Sequence, residues 1–504
     1  MNAVIFQISA FIFFLFLCVG YIFSQSQTTR YAQQVGSHLE NVADFSKPEG
    51  GEEFPGGAAT SVKSLNNKNA FSQASANLSF QKKFEFKIGN GVFKKLWVSS
   101  PASTDASDGL GPLFNARSCQ RCHLKDGRGH PPEANWPDDN AISMLIRLSI
   151  PPQNKQQKAL IAAHKIPSVP EPTYGAQLHD LSIQGHNAEG KFHISYEYED
   201  VKLAGGEIVT LRKPTYKIIN LGYGLLHPQT QLSPRIAQQM IGLGLLDAIS
   251  EHDVLKNADH DDQNKDGISG RANRIWSKEN RKIMIGRFGW KAGQPTVREQ
   301  SASAFFGDMG LSTQLAPDGF GDCTVYQIKC RNAPHGNSLK YSNVEVGPKL
   351  FNLVVFYAEN LAVPKRRKAD DPDILKGKEL FYANGCAACH HPKFRTEKVS
   401  GKPHLSNQLI WPYTDLLLHD MGEGLADHAP EGVANGREWR TPPLWGIGLT
   451  KIVNGHTFFL HDGRARSVKE AILWHGGEAQ KSRDAFSALF KEDRERLIAF
   501  VNSL

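Results

Sequence analysis

The chain has no long apolar run after Phe23 and no strong excess of charge of either sign. Of its 504 residues, 40% are hydrophobic and 22% are charged, which is ordinary for a globular protein. The formal net charge is only +7, and basic runs such as Lys365–Lys368 are short. These absences exclude a multispanning membrane protein and a largely disordered chain, and they indicate no nucleic-acid partner.

Cysteine is also scarce, with seven in total. Four stand in two Cys-x-x-Cys-His segments, the first motif (Cys119–His123) and the second motif (Cys386–His390), and Cys18 lies in an apolar leader. The remaining pair, Cys323 and Cys330, predicts a disulfide across a short loop in an oxidising compartment. Two free buried thiols and a redox-active pair are the alternatives.

One long apolar run does occur, from Val4 to Phe23. It predicts that residues 1–24 are an export segment, either a signal peptide or a membrane anchor. No Lys or Arg precedes the run and no small-x-small cleavage site follows it, so an uncleaved anchor stays open.

Each Cys-x-x-Cys-His motif predicts a covalently bound haem c. The two thiols form thioethers with the haem vinyl groups, and the adjacent His binds the iron on its proximal side. A zinc site or a thioredoxin-like redox pair is the alternative, but a zinc ribbon does not demand His directly after the second Cys. The predicted haem-binding residues are Cys119, Cys122 and His123 for the first haem, and Cys386, Cys389 and His390 for the second.

The predicted fold is mainly α, with two cytochrome c-like haem domains and a small β insertion in the first. Alternating stretches such as Phe192–Tyr198 indicate the insertion. A helix is predicted over Ser233–Ile249, where Ser233 can cap and Pro234 suits the first position. The segment Leu-Phe-x4-Cys-x2-Cys-His occurs twice, and we expect both Leu-Phe pairs on helices against the haem face. The predicted ranges are a leader at 1–24, an irregular lead-in at 25–75, an N-terminal haem domain at 76–363 with its insertion at about 141–223, and a C-terminal cytochrome c domain at 364–504.

Several longer segments carry a family resemblance from about residue 80 to the end. They are Gly109–Asn115, Ser233–Arg235, Ile241–Leu246, Arg440–Gly446, His461–Arg466 and Glu470–Gly477. The chain resembles the di-haem oxidoreductase family, sometimes labelled thiol oxidoreductase-like. That family is related to bacterial di-haem cytochrome c peroxidases and to the methylamine-utilisation di-haem enzymes.

The resemblance implies the sixth ligand of the second haem. In the peroxidases, the helix after a His-Asp-Gly loop supplies this ligand, usually Met, and in the methylamine relatives it supplies Tyr. His475 occupies that place in this chain, which implies a bis-His iron, with Met421 as the second candidate. A bis-His iron has a lower potential than a His/Met iron, because the thioether favours the ferrous state.

The resemblance also implies catalytic residues at the first haem. The peroxidases keep a Gln and an acidic residue on the open face of that haem, and the matching residues here are Gln300 and Asp308. Asp308 would move the peroxide proton and Gln300 would orient the bound oxygen species. The family uses Glu, so the shorter Asp must come closer or act through water. A helix C-terminal turn with a solvated Asp is the alternative.

A candidate calcium loop contains Asp262, Asn264 and Asp266 followed by Gly267. This spacing of oxygen ligands with a Gly at the sharp turn is typical of loops that wrap calcium. The twelfth position is Asn273 where a bidentate Glu would be expected, so an acidic turn is the alternative.

The expected function is that of a peroxidase-like di-haem oxidoreductase, in the periplasm or anchored to the periplasmic face of the inner membrane. Electrons would come from a small redox protein of the cytochrome c or cupredoxin type, pass from the C-terminal to the N-terminal haem and reduce hydrogen peroxide. The N-terminus could tether the protein to the membrane. The alternatives are a non-catalytic electron carrier and an oxygen-using relative that modifies an organic or protein substrate.

Overall fold

The computed structural model describes residues 44–140 and 142–504. The predicted leader at 1–24 and the first part of the lead-in lie outside these residues. Within them, no helix is both long and apolar enough to cross a bilayer.

The helices are mostly short. In chain order they are α1 Phe80–Lys94, α2 Cys119–Cys122, α3 Lys155–Ala162, α4 Leu243–Asp247, α5 Glu251–Leu255, α6 Val297–Met309, α7 Ile328–Arg331, α8 Pro348–Glu359, α9 Pro372–Ala383, α10 Thr450–Asn454, α11 Val468–Leu473, α12 Gln480–Ala488 and α13 Lys491–Ser503. With 45 Gly and 27 Pro in the sequence, most helical segments are interrupted within three turns.

The strands pair two by two. They are β1 Val98–Ser99, β2 Asp108–Leu110, β3 Leu113–Phe114, β4 Met144–Ser149, β5 Leu181–Ser182, β6 Lys191–Lys202, β7 Ile208–Ile219, β8 Gln231–Ile236, β9 Arg274–Ser277, β10 Lys282–Ile285, β11 Phe394–Arg395, β12 Leu409–Ile410, β13 Leu418–Asp420 and β14 Glu438–Arg440. Over the described residues they form seven two-stranded sheets, β1-β2, β3-β5, β4-β8, β6-β7, β9-β10, β11-β12 and β13-β14.

The prediction of a mainly α fold of two cytochrome c-like domains is therefore wrong. The chain is mixed α/β, about 30% helical and 18% strand, and small sheets occur in both halves. Local periodicity favoured helices because the strands are mostly two to six residues long, which is too short to produce a clear alternating pattern.

The predicted helix over Ser233–Ile249 is also wrong, except at Leu243–Asp247, which form α4. Residues 231–236 form β8, antiparallel to β4, and Pro234 lies opposite Ile146. The Ser233 hydroxyl caps no helix and donates to the Asp427 carboxylate at 2.5 Å. Gly242, with φ of +71°, starts the short helix α4.

The two Leu-Phe pairs of the internal repeat fold differently. Leu380 and Phe381 lie in α9, as predicted, and the Phe381 ring is 6.2 Å from the His390 ring between centroids. Leu113 and Phe114 form strand β3 and pair with β5, so the helix predicted for them is wrong. The same local sequence therefore adopts the structure that its long-range partners impose.

The long hairpin β6-β7 joins the two halves of the chain. Its strands pair in register over twelve residues each. Arg212 on β7 donates hydrogen bonds to the carbonyl oxygens of Gly463 and Arg464, both at 2.9 Å, and the Tyr216 hydroxyl donates to Asp462 at 3.1 Å. The main apolar cluster also contains residues from both halves and packs against Cys386, whereas Cys119 packs against a separate apolar cluster. The predicted domain ranges stay predictions.

The lead-in contributes a buried charge cluster. Glu52 is fully buried and pairs with Arg366 and with Lys378, whose Nζ is 2.8 Å away. The Tyr413 hydroxyl donates to the same carboxylate at 3.1 Å.

The predicted disulfide between Cys323 and Cys330 is confirmed. Both cysteines are buried, and they pack against Leu113 at the start of β3.

Candidate functional site

The first motif forms the short helix α2 and presents His123 directly after it. Nδ1 of His123 donates a hydrogen bond to the carbonyl oxygen of Gln238 at 2.7 Å. That bond fixes the tautomer and the ring orientation and leaves Nε2 as the nitrogen that can bind iron. Burial lowers the pKa of His123, which favours the neutral, ligating form.

Asp308 lies beside the first motif, in the last turn of α6. Thr296 caps the start of this helix by accepting from the Glu299 N–H, and Gly310, with φ of +64°, ends it. The carbonyl oxygen of Asp308 accepts from the Asn115 N–H at 2.8 Å, four residues before the first Cys. The negative charge of the Asp308 carboxylate acts to raise the pKa values of Cys119, Cys122 and His123.

Gln300 does not contact Asp308. The two residues are eight positions apart on α6, which corresponds to about 12 Å along the helix axis. The Gln300 side chain lies near Gly289. The amide that contacts Asp308 belongs to Gln177, whose Nε2 donates to Asp308 Oδ1 at 2.9 Å.

The second motif begins with a 3-10 turn, Cys386–Ala388, after Gly385 with φ of +79°. Nδ1 of His390 donates to the carbonyl oxygen of Tyr413 at 3.0 Å and leaves Nε2 for a metal. Burial and the nearby His475 lower the pKa of His390 to about 4.

His475 follows helix α11 at the second motif. Ser467 caps this helix by accepting from the Glu470 N–H, and Nδ1 of His475 donates to the Ala471 carbonyl oxygen at 2.7 Å. The electrostatic effect of His475 on His390 indicates that the two imidazoles lie near each other. Met421 lies close as well, because its carbonyl oxygen approaches Gly476.

Next to the second motif lies a buried charged triplet that sequence reasoning missed. His419 Nε2 is 2.7 Å from Asp415 and its Nδ1 is 2.6 Å from Glu478. The Cys389 sulfur is 3.6 Å from the same Nδ1.

Two buried arginines fit the charge of the predicted first haem. Arg128 and Arg440 are almost fully buried, and neither pairs with a carboxylate of residues 44–140 or 142–504. Arg440 instead donates to Gln238 Oε1 at 2.8 Å, and Arg128 donates to the Phe458 carbonyl oxygen at 3.2 Å. A buried guanidinium is costly without an anion, and haem carries two propionates that would neutralise it.

Two unpaired hydrogen-bond donors are buried in the half of the chain that contains the second motif. The indole N–H groups of Trp411 and Trp474 are buried and have no acceptor among the described residues. Trp474 directly precedes His475. Such unpaired donors are rare in a folded protein, and acceptor oxygens of a bound group would satisfy them.

The candidate calcium loop uses its oxygens internally. Asp262, Asn264 and Asp266 accept backbone N–H groups of the loop at 3.1, 2.9 and 2.7 Å. Asn273, at the twelfth position, is buried and donates to the Lys291 carbonyl oxygen at 2.7 Å. Over the described residues, no group of three or more His, Cys, Asp or Glu side chains is arranged to hold a metal ion. Calcium binding stays a prediction.

Sequence reasoning also missed Gln177, Asn115 and Asp180 as site residues. Asn115 lies in a segment used for the family resemblance, but nothing in the local sequence indicates that it meets Gln177 or Asp180. The only signal is the run of polar residues at positions 177, 179 and 180, and its meaning depends on the pairing of β3 with β5.

The model of the family described as "Di-haem oxidoreductase, putative peroxidase" matches residues 51–504. None of the curated proteins matches the chain. Among solved structures, a Kuenenia stuttgartiensis hydrazine synthase pressurized with 20 bar xenon is 11% identical, with a TM-score of 0.25 over 71% of this chain and 90% of that chain. A similarity at that level supports no inference about this chain.

Proposed function

Because the chain belongs to the di-haem oxidoreductase family over residues 51–504, we propose that it binds two haem c groups covalently and reduces hydrogen peroxide at the first. Family membership implies haem cofactors. The covalent attachment through four cysteines, the peroxide substrate and the direction of electron flow are the proposal.

The main support is the difference between the two motifs. At the second motif, His390 and His475 both direct Nδ1 to a backbone carbonyl, so both Nε2 atoms are free to bind one iron. At the first motif, His123 is oriented in the same way, but the nearby polar group from α6 is a carboxyl, Asp308. A closed iron suits electron transfer, and an iron with an acid–base group beside it suits chemistry.

In this proposal Cys119, Cys122 and His123 would hold the first haem, which would supply an iron for the two-electron reduction of peroxide. Asp308 would move a proton from one peroxide oxygen to the other as the O–O bond breaks. Gln177 holds the carboxyl in one orientation through its Nε2–H. The buried guanidinium groups of Arg440 and Arg128 would balance the charge of the haem propionates.

The second haem, held by Cys386, Cys389, His390 and His475, would supply the relay that takes electrons from a small redox protein towards the first motif. The weak positive charge of the chain favours an acidic donor. The apolar run at Val4–Phe23 supports export to the periplasm, with or without a membrane tether.

Low-temperature EPR of the fully oxidised and half-reduced protein, together with peroxide turnover, tests the proposal. We expect two haems, of which the first is high-spin in the half-reduced state, and peroxide-dependent oxidation of a reduced donor. Two low-spin haems in every redox state without turnover would instead support a non-catalytic electron carrier. Oxygen-dependent product formation without peroxide would support modification of another substrate.

A further inference from the structure

Four side chains form a continuous hydrogen-bonded chain beside the first motif. Gln177 Nε2 donates to Asp308 Oδ1 at 2.9 Å and to Asn115 Oδ1 at 2.7 Å. Asn115 Nδ2 in turn donates to Asp180 Oδ1 at 2.9 Å. The order is therefore carboxyl, amide, amide, carboxyl, and the second oxygen of each carboxyl accepts no hydrogen bond from the described residues.

Three separate segments bring these residues together. The antiparallel pairing of β3 with β5 sets Phe114 opposite Leu181, so Asn115 and Asp180 become neighbours at the end of the ladder. The Asn115 backbone N–H also donates to the Asp308 carbonyl oxygen at 2.8 Å, which ties the pair to the end of α6. Asn115, Gln177 and Asp180 are all buried.

Two observations place Asp180 close to the cysteines of the first motif. Leu181, the next residue, packs in the same apolar cluster as Cys119. The charges of both Asp308 and Asp180 act on Cys122. Asp180 therefore faces the first haem site from the β-rich segment, while Asp308 faces it from α6.

We propose that Asp180 is a second acid–base residue of the first haem site, coupled to Asp308 through Asn115 and Gln177. This inference rests on the proposed function. Reduction of one hydrogen peroxide to two water molecules breaks the O–O bond and consumes two electrons, from the redox-protein donor, and two protons. Asp308 serves the transfer between the peroxide oxygens, which completes the first water. Asp180 delivers one of the two protons that, with the two electrons, convert the remaining oxygen into the second water, and the other proton comes from solvent.

The surroundings of Asp180 suit this role. Burial raises the pKa of Asp180 to about 6, against the opposing effects of Lys191 and Asn115. Lys191 Nζ donates to the Asp180 carbonyl oxygen at 2.5 Å, and His179 lies on its other side in a pair with Glu189. A carboxyl with a pKa near neutrality can both hold and release a proton under working conditions.

Cyanide association with the half-reduced protein, in which the first iron is expected to be open, tests the proposal without turnover. Hydrogen cyanide binds iron as the anion, so its proton must pass to a base as the carbon binds the metal. We expect Asp180→Asn and Asp308→Asn each to slow association by roughly tenfold or more at constant haem content. The double variant should slow it by less than the product of the two effects, because coupled residues are not additive.

Asp247→Asn is the matched control. Burial also raises the pKa of Asp247 to about 6, and this residue accepts from the Val297 N–H at the opposite end of α6. We expect no measurable change in its cyanide rate. If Asp180→Asn loses haem, Asn115→Ser breaks the same chain without removing a charge, and Asp180→Glu should restore the rate.

An association rate in Asp180→Asn equal to that of the control, with both haems retained, would overturn the assignment. If Asp180→Asn slows cyanide association but the wild-type protein does not reduce peroxide, the role of Asp180 as a base is kept and only the proposed function is refuted. If wild-type protein binds no cyanide in any redox state, the first iron is closed and both proposals fail. If Asn115→Ser is used in place of Asp180→Asn, an unchanged rate of cyanide association overturns the coupling between Asp180 and Asp308.

Discussion

Arg440 and Gln238 connect the C-terminal half of the chain to the first motif. Arg440 Nη2 donates to Gln238 Oε1 at 2.8 Å, and the carbonyl oxygen of Gln238 accepts the Nδ1–H of His123 at 2.7 Å. An arginine more than three hundred positions away in the sequence therefore fixes the loop that orients the first predicted iron ligand. Burial lowers the pKa of Arg440 to about 10, as expected for a guanidinium without an adjacent anion.

Arg440→Met is expected to destabilise the folded protein when the first haem is bound, but not when that haem is absent. If a propionate pairs with Arg440, removing the guanidinium leaves a buried anion and lowers the free energy of unfolding by about 3 kcal/mol. In a Cys119→Ala/Cys122→Ala background the same substitution removes an unpaired buried cation and should not destabilise the protein. Urea unfolding of the four proteins measures both effects, with the exposed Arg281→Met as control. Equal losses in both backgrounds would refute the pairing.

His475→Ala is expected to convert the second haem from low to high spin, because it removes the sixth ligand and leaves His390 alone on the iron. His475→Met should keep that haem low-spin and raise its midpoint potential, since a thioether favours the ferrous state. EPR and redox titration record the two changes. Met421→Leu is the matched control, and a spin change in that variant but not in His475→Ala would make Met421 the ligand.

Each cysteine pair is expected to account for one covalent haem. Cys119→Ala/Cys122→Ala and Cys386→Ala/Cys389→Ala should each reduce the covalently bound haem from two per chain to one, because the thioether bonds are lost. Intact-protein mass spectrometry after acid denaturation measures the number. Cys323→Ala/Cys330→Ala should retain both haems, and a loss there would mean that the disulfide, and not the motif alone, controls attachment.

The buried pair of His179 and Glu189 is expected to make stability depend on pH. Burial alone would lower the pKa of His179, but the carboxylate 2.9 Å away outweighs it and raises the pKa to about 9. Because the folded pKa exceeds the unfolded value of about 6.5, the stabilisation is complete below pH 6.5 and is lost as pH rises through about 9. The loss is on the order of 3 kcal/mol.

Urea unfolding midpoints between pH 6 and 9.5 test this dependence. His179→Gln should unfold more easily at pH 6 and show a flatter profile above it, since the titrating group is gone. A wild-type profile that rises over this range, or a variant with the same slope as wild type, would contradict the assignment to His179. The pair matters for the site because His179 Nε2 donates to the carbonyl oxygen of Gly307, next to Asp308, at 2.7 Å.

Prediction from sequence succeeded where one contiguous segment carried the signal. The disulfide and the β-rich segment around Phe192–Tyr198 could be derived from local residue types and spacing, and the family was expected from the resemblance of contiguous segments. It failed for Ser233–Ile236 and for Leu113-Phe114, where two short segments distant in sequence pair as strands. Gln300 lies about two helical turns from Asp308 on α6, and its role at the first haem stays a prediction.

The sequence by itself determined the two Cys-x-x-Cys-His motifs, because thiols and imidazole at that spacing suffice for the predicted haem chemistry. Only the tertiary structure decided what surrounds each motif. Gln177 and Asp180 reach the first motif through a strand pairing, and Arg440 reaches it through contacts between the two halves. A site's proton donors and counter-charges come from whichever segments the core packs together, and that packing depends on the whole chain.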